Sequence, residues 1–113
     1  MTDDLLVHQL SVGPLQVNCF VVACQKTREA MVIDPGEDGP RILQIAESNG
    51  YQVKQIVNTH GHFDHIGANQ PVKDATGAVL MMHEADLPLL QNARNHAQAY
   101  GLTVSPSPDP DKF

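Results

Sequence analysis

Apolar residues along the chain fall into short runs of β period separated by segments of helical period. Leu5 to Val12 alternates imperfectly and predicts a first strand, stopped at Gly13-Pro14. Leu15 to Cys24 is nearly continuous in apolar and β-prone residues, the pattern of a strand buried on both faces. Gln25-Lys26-Thr27-Arg28 predicts a polar turn, and Glu29 to Asp34 its hairpin partner, ended by Pro35-Gly36. The period then changes. Between Pro40 and Asn49, Ile42, Ile45 and Ala46 share a helical face that Leu43 widens; Pro40 suits the first turn and Asn49-Gly50 the stop. Val53 to Asn58 returns to a β-branched strand. A loop and a short helix from Ala68 to Ala75, weakened by Pro71, lead through Gly77 to an apolar strand, Ala78 to Met82. From Glu84 to Ala99, residues Leu87, Leu90, Ala93 and Ala97 recur at helical intervals, with Pro88 in the first turn. Residues 103–113 are expected to form an irregular, Pro-rich tail, because their prolines suit neither a strand interior nor a helix. Strands alternating with helices, without a repeat or a linker, predict one α/β domain over residues 1–113.

Composition narrows the class. The 113 residues are 42% hydrophobic, which argues for one folded domain and against disorder. No apolar run approaches the ~20 residues of a membrane span. The start, Met1-Thr2-Asp3-Asp4, is acidic where a secretory signal would be basic. A cytoplasmic protein with no membrane partner is expected. The formal charge is −6, and Lys26, Arg28, Arg41, Lys54, Lys73, Arg94 and Lys112 are scattered singly. With no stripe of cations to neutralise phosphates, nucleic-acid binding is not expected. Cys19 and Cys24, five steps apart on one strand, would lie ~16 Å apart on opposite faces. That exceeds the ~7 Å reach of a disulfide, so both read as buried thiols.

The chemistry is concentrated after the Val53–Asn58 strand, in Thr59-His60-Gly61-His62-Phe63-Asp64-His65. Three of the six histidines and one carboxylate fall within six residues, an arrangement that chance would produce on the order of once in a thousand such chains. Neutral imidazoles and carboxylates are good ligands for Zn²⁺ and its first-row neighbours. A loop leaving the carboxyl end of a strand projects them into the crevice where α/β folds place their sites. Gly61 gives the backbone freedom between two bulky ligands. The other histidines attract blander readings: a local hydrogen bond for His83, and packing or surface roles for His8 and His96. Asp109 and Asp111, in the tail, are expected to be solvated.

The His60-x-His62-x-Asp64-His65 pattern resembles the hallmark of the metallo-β-lactamase superfamily. Gly13-Pro14-Leu15-Gln16-Val17-Asn18-Cys19, Val32-Ile33-Asp34-Pro35-Gly36 and His83-Glu84-Ala85-Asp86 look like flanking segments of its glyoxalase II-like branch, and the likeness runs from Leu5 to Asp111. The resemblance implies an α/β fold: the amino-terminal half of an αββα sandwich, with one mainly antiparallel or mixed sheet and helices on one face. It gives His60 and His62 to a first metal and Asp64 and His65 to a second, with Asp64 also orienting the nucleophile. Asp34 becomes a buried support behind the ligand loop. It implies two Zn²⁺ per complete site, with Fe or Mn as alternatives, and metal-bound hydroxide formed near neutral pH. The implied substrate is a small-molecule thioester of the S-acylglutathione type. Lactone hydrolysis, phosphodiester hydrolysis and persulfide oxidation use the same scaffold, and the motif alone does not separate them. It does differ from the His-x-Glu of the oxygen-reducing di-iron branch.

The family completes its site with further histidines and a bridging aspartate from a second half, which are absent here. The motif supplies two ligands per metal, where a catalytic zinc takes three. An uncovered sheet face of roughly 1,000 Å² would forgo ~25 kcal/mol of burial, more than the ~5–15 kcal/mol that a domain retains. The chain is therefore expected to be a fragment of low activity, or a non-catalytic half-domain that self-associates through that face.

Overall fold

In chain order the elements are β1 (Leu5–Val12), β2 (Val17–Cys24), β3 (Glu29–Ile33), α1 (Gly39–Asn49), β4 (Gln52–Asn58), α2 (Phe63–Ile66), α3 (Asn69–Thr76), β5 (Val79–Met82), a 3₁₀ turn (Glu84–Asp86), α4 (Leu87–Gln91) and α5 (Ala93–Ala99). They belong to a computed structural model that describes residues 5–13, 15–60, 63–101 and 107–113, apart from the side chains of Phe63, Arg94 and His96. His62, Gly61, Pro14, residues 1–4 and 102–106, and the His96 side chain lie outside the described residues. Among the described residues, no helix is long and apolar enough to cross a membrane.

The strands form one mixed sheet in the order β1-β2-β3-β4-β5. The first two pairings are antiparallel and the last two parallel. Parallel neighbours need a crossover, supplied by α1 between β3 and β4 and by α2 and α3 between β4 and β5. In consequence β3, β4 and β5 all end at the same edge of the sheet, the place where such folds collect chemistry. Register does the rest: Ile33 sits opposite Val57 and Asn58 opposite Met82, so the residues after Ile33 meet those after Asn58.

The core lies on one face. Leu10, Val12, Cys19, Val21, Ala23, Ala30, Val32, Val53, Ile56 and Leu80 are buried against Ile42 and Ala46 of α1 and Val72 of α3. The alternation in β4 is broken by a bulge: Ala30 pairs with Val53 but Met31 with Gln55, leaving Lys54 as the extra residue. That shift turns Ile56 and Asn58 inward, both buried. The opposite face is open among the described residues. Leu5 and Val7 are 54% and 60% exposed, and Phe20, Val22, Met31 and Ile33 are half-buried. β2 is therefore buried on one face only, not on both as its continuous apolar run suggests. Cys19 points into the core and Cys24 to the other side, with no disulfide between them. Burial, helped by the nearby Asp34 charge, pushes the Cys19 thiol up to about 12, so it is an inert core residue.

Two further segments depart from the sequence pattern. The helical stretch from Glu84 to Ala99 is not one helix. Asn92 leaves the helical region at φ −103° and ψ 9°, and its side-chain oxygen accepts a bond from Asn95 Nδ2 at 2.7 Å. The break lets Leu90 and Ala93 both reach Ile66 and Met82 in a second apolar cluster. The described end of the tail is docked rather than loose. Lys112 bridges Met81, and the Asp111 and Lys112 N–H groups donate to the Leu80 carbonyl at 2.8 and 3.2 Å. Asp111 also accepts from the Leu80 N–H at 2.9 Å and pairs with Lys73. It is a partner of β5, not a merely solvated acid.

The Leu80 N–H bond, followed by Lys73, holds the Asp111 carboxyl below the ordinary aspartate value of 3.8. A lowered acid pKa means that the contribution of this contact is complete above 3.8 and is lost as pH falls through the lowered value. The amide shift of Leu80 is expected to titrate with a midpoint below 3.8 and to lose that titration in Asp111→Asn. A midpoint at or above 3.8 would contradict the assignment.

Candidate metal centre

Asp34 follows the last residue of β3 and takes a left-handed backbone conformation, φ 55°, that few non-glycine residues adopt. Its own N–H donates to the Val57 carbonyl at 2.9 Å, and its carbonyl accepts from Gly36 at 2.8 Å. The chain thus turns sharply at Pro35-Gly36 and leaves the Asp34 carboxylate buried, 5% exposed. A buried charge must be paired. Thr59, the residue after β4, provides this: its N–H donates to Asp34 Oδ1 at 2.7 Å and its hydroxyl to Oδ2. His65 Nδ1 lies 3.2 Å from the same Oδ2. Burial pushes the Asp34 carboxyl up, but the adjacent His65 imidazole and the Thr59 hydrogen bonds outweigh it and hold the acid below its ordinary range. The Asp34 carboxylate set against its Nδ1 raises His65 above the ordinary histidine value, against an opposing effect of burial.

Three described residues of the sequence motif, His60, Asp64 and His65, lie near this carboxylate. His60 is exposed, with Nδ1 3.0 Å from the Thr59 hydroxyl; its ring lies 5.0 Å from that of His65 between centroids. Asp64 and His65 ride on α2, a helix of four residues. Asp64 Oδ1 is 3.8 Å from His65 Nε2, on the side of the ring away from Asp34. Asp34, His60 and His65 each offer one ligand atom within 4.8 Å of the others. Two imidazoles and a carboxylate at that spacing fit a first-row ion. Asp34, read from the sequence as standing behind the loop, has an oxygen within this group.

Among the described residues, two further histidines are engaged elsewhere. His83 Nδ1 accepts from the Ala85 N–H at 3.0 Å, a local bond that caps the 3₁₀ turn, and His8 Nε2 lies 2.7 Å from the Tyr51 hydroxyl. Sequence reasoning missed Thr59, whose short polar side chain next to His60 gave no spacing signal. It also missed the approach of α2 to Gly36: a Cβ at that glycine would lie 1.9 Å from the Asp64 carbonyl oxygen.

The sequence profile of the metallo-beta-lactamase superfamily matches residues 12–112. The chain belongs to the metallo-β-lactamase superfamily. An uncharacterized protein of Aquifex aeolicus (strain VF5) is 35% identical over 107 residues, 95% of this chain and 50% of that protein. A hydroxyacylglutathione hydrolase of Polaromonas sp. (strain JS666 / ATCC BAA-500) is 45% identical over 80 residues, 70% of this chain and 30% of that protein. Among solved structures, TTHA1623 in a di-iron-bound form superposes with a TM-score of 0.84 at 35% identity, covering 92% of this chain and 52% of that one. BLEG-1 B3 metallo-beta-lactamase gives 0.85 at 27% identity, covering 96% and 52%. The chain thus spans 30–52% of the length of these relatives, and it matches the α/β sheet and helices of about half of the two solved chains.

Contact between Gly36 and α2 has a measurable consequence. Gly36→Ala forces a methyl group into the Asp64 backbone and is expected to cost about 3 kcal/mol, the upper end for overpacking. Gly39→Ala places its Cβ 3.4 Å from Pro71 Cγ, and should change stability by less than ~1 kcal/mol. Denaturant unfolding of the two variants checks this. Equal stabilities would show that the loop can move away from α2 without cost.

Proposed function

We propose that this chain carries the metal-binding loop of a metal-dependent hydrolase acting on small-molecule thioesters of the S-acylglutathione type. The observation that carries the reading is the convergence of His60 and His65 on the buried Asp34 carboxylate at the carboxyl edge of the parallel strands, with Asp34 set against His65 Nδ1. The name of the Polaromonas relative supports the substrate class. The di-iron-bound form of TTHA1623 supports a first-row ion and brings iron beside zinc and manganese as a resident metal. When bound, such an ion supplies Lewis acidity, which polarises an acyl carbonyl and makes water a nucleophile near neutral pH.

The chain's own residues prepare that chemistry. Asp34, kept ionised by Thr59 and His65, faces His65 Nδ1 and leaves Nε2 on the side of Asp64. A carboxylate on one imidazole nitrogen fixes the ring and raises the basicity of the other. His60, His62, Asp64 and His65 are the proposed ligands, and Asp64 also orients the attacking water.

Metal titration tests this reading. The chain is expected to bind zinc or iron, and His60→Ala and His65→Ala each to weaken binding at least tenfold while remaining folded. The loaded protein should hydrolyse S-lactoylglutathione in preference to a lactone or a phosphodiester, well below the ~1–10³ s⁻¹ of whole enzymes. Binding that is indifferent to both histidines, or faster turnover of a phosphodiester, would overturn the proposal.

A further inference from the structure

α2 carries Asp64 and His65, yet four residues are too few for a helix to hold itself together in water. Its position must come from its surroundings. Ile66 is anchored in the second apolar cluster, and the N–H of Ala68, two residues after α2, donates to the Pro35 carbonyl at 2.8 Å. The third anchor is polar. Asn58, turned inward by the β4 bulge, and Asn69, the first residue of α3, are 3% and 0% exposed. Their amides exchange bonds: Asn69 Nδ2 donates to Asn58 Oδ1 at 2.7 Å, and Asn58 Nδ2 to Asn69 Oδ1 at 3.1 Å. Each Nδ2 also reaches outward, from Asn58 to the His65 carbonyl at 3.4 Å and from Asn69 to Ser107 Oγ at 2.9 Å. Ser107 in turn donates to the Pro108 carbonyl.

Two buried amides that satisfy each other add little stability over two apolar side chains of the same shape. What they add is geometry. A reciprocal amide pair has one good arrangement, and here it ties the end of β4, the backbone of α2, the start of α3 and the docked tail into one unit. We infer that Asn58 and Asn69 are positioning residues for the metal centre, setting the height of α2 so that His65 meets Asp34 and His60. Neither amide touches the donor atoms; Asn58 acts through the His65 carbonyl, and Asn69 acts by holding Asn58. The inference rests on the metal-site reading above for its consequence, although the positioning itself is a property of the metal-free chain.

The informative variant is Asn58→Leu combined with Asn69→Leu, because a single exchange leaves the other amide buried without its partner. The double variant removes both polar groups at nearly constant shape. In the metal-free protein, amide exchange at Ala68 is expected to accelerate at least tenfold, while sheet amides such as Val21 and Val32 and the melting temperature stay unchanged. Zinc affinity, read by competition with a chromophoric chelator, should fall at least tenfold. Unchanged exchange at Ala68, or acceleration spread evenly across the sheet, would overturn the inference. Failure of the parent chain to bind zinc would sink the function reading alone, because the exchange at Ala68 still decides whether the pair positions α2.

Discussion

The buried carboxylate of Asp34 is the constraint on which the rest of the site depends. It lies at the turn after β3, and its oxygens accept from the Thr59 backbone and hydroxyl and face His65 Nδ1. Three separate stretches of chain are thereby held to one point: the Pro35-Gly36 turn, the end of β4 and the short helix α2. A lone carboxylate in that position would be costly, and each partner it recruits both offsets the cost and fixes a stretch of backbone that carries a candidate donor. The strained φ of Asp34 is tolerated for the same reason, since several hydrogen bonds over-determine it.

Sheet topology explains why these stretches can meet. Parallel pairing of β3, β4 and β5 brings their carboxyl ends to one edge, and the Ile33–Val57 register sets Asp34 beside Thr59. The two antiparallel strands, β1 and β2, extend the sheet away from the site and contribute core rather than chemistry. Among the described residues, α1 and α3 pack on the face of Val21, Val32 and Ile56, while Leu5 and Val7 stay exposed on the other. The fold of this superfamily member thus divides its labour: one face stabilises, and one edge holds the donor group.

Much of this was legible in the sequence, for physical reasons. Period-2 and period-3.6 patterns place the five strands, α1 and α3 because each buries one side against a common core. The His60-to-His65 spacing points to a candidate donor group because donors in a short loop must be close in sequence, and His60 and His65 do come together in one. Asp34 is different: nothing in its local pattern says that it will fold back on residues 25 positions later, and only the resemblance pointed to it. The β4 bulge, the break at Asn92 and the burial of Asn58 and Asn69 were not legible. A bulge or a paired buried amide depends on a partner far along the chain, and an asparagine at the end of a strand reads locally as a turn residue. The continuous apolar run of β2 misled in the opposite direction, because hydrophobicity marks a face fit for burial whether or not anything covers it.

The central claim, that Asp34 organises the loop through His65, is most directly tested by a double-mutant cycle. Asp34→Asn, His65→Ala and the double variant would be compared in the free energy of unfolding of the metal-free protein. Residues coupled through a buried contact show interaction energies of ~0.5–3 kcal/mol, and a value above ~1 kcal/mol is predicted here. A coupling near zero would show that the two side chains are held independently and would contradict the account.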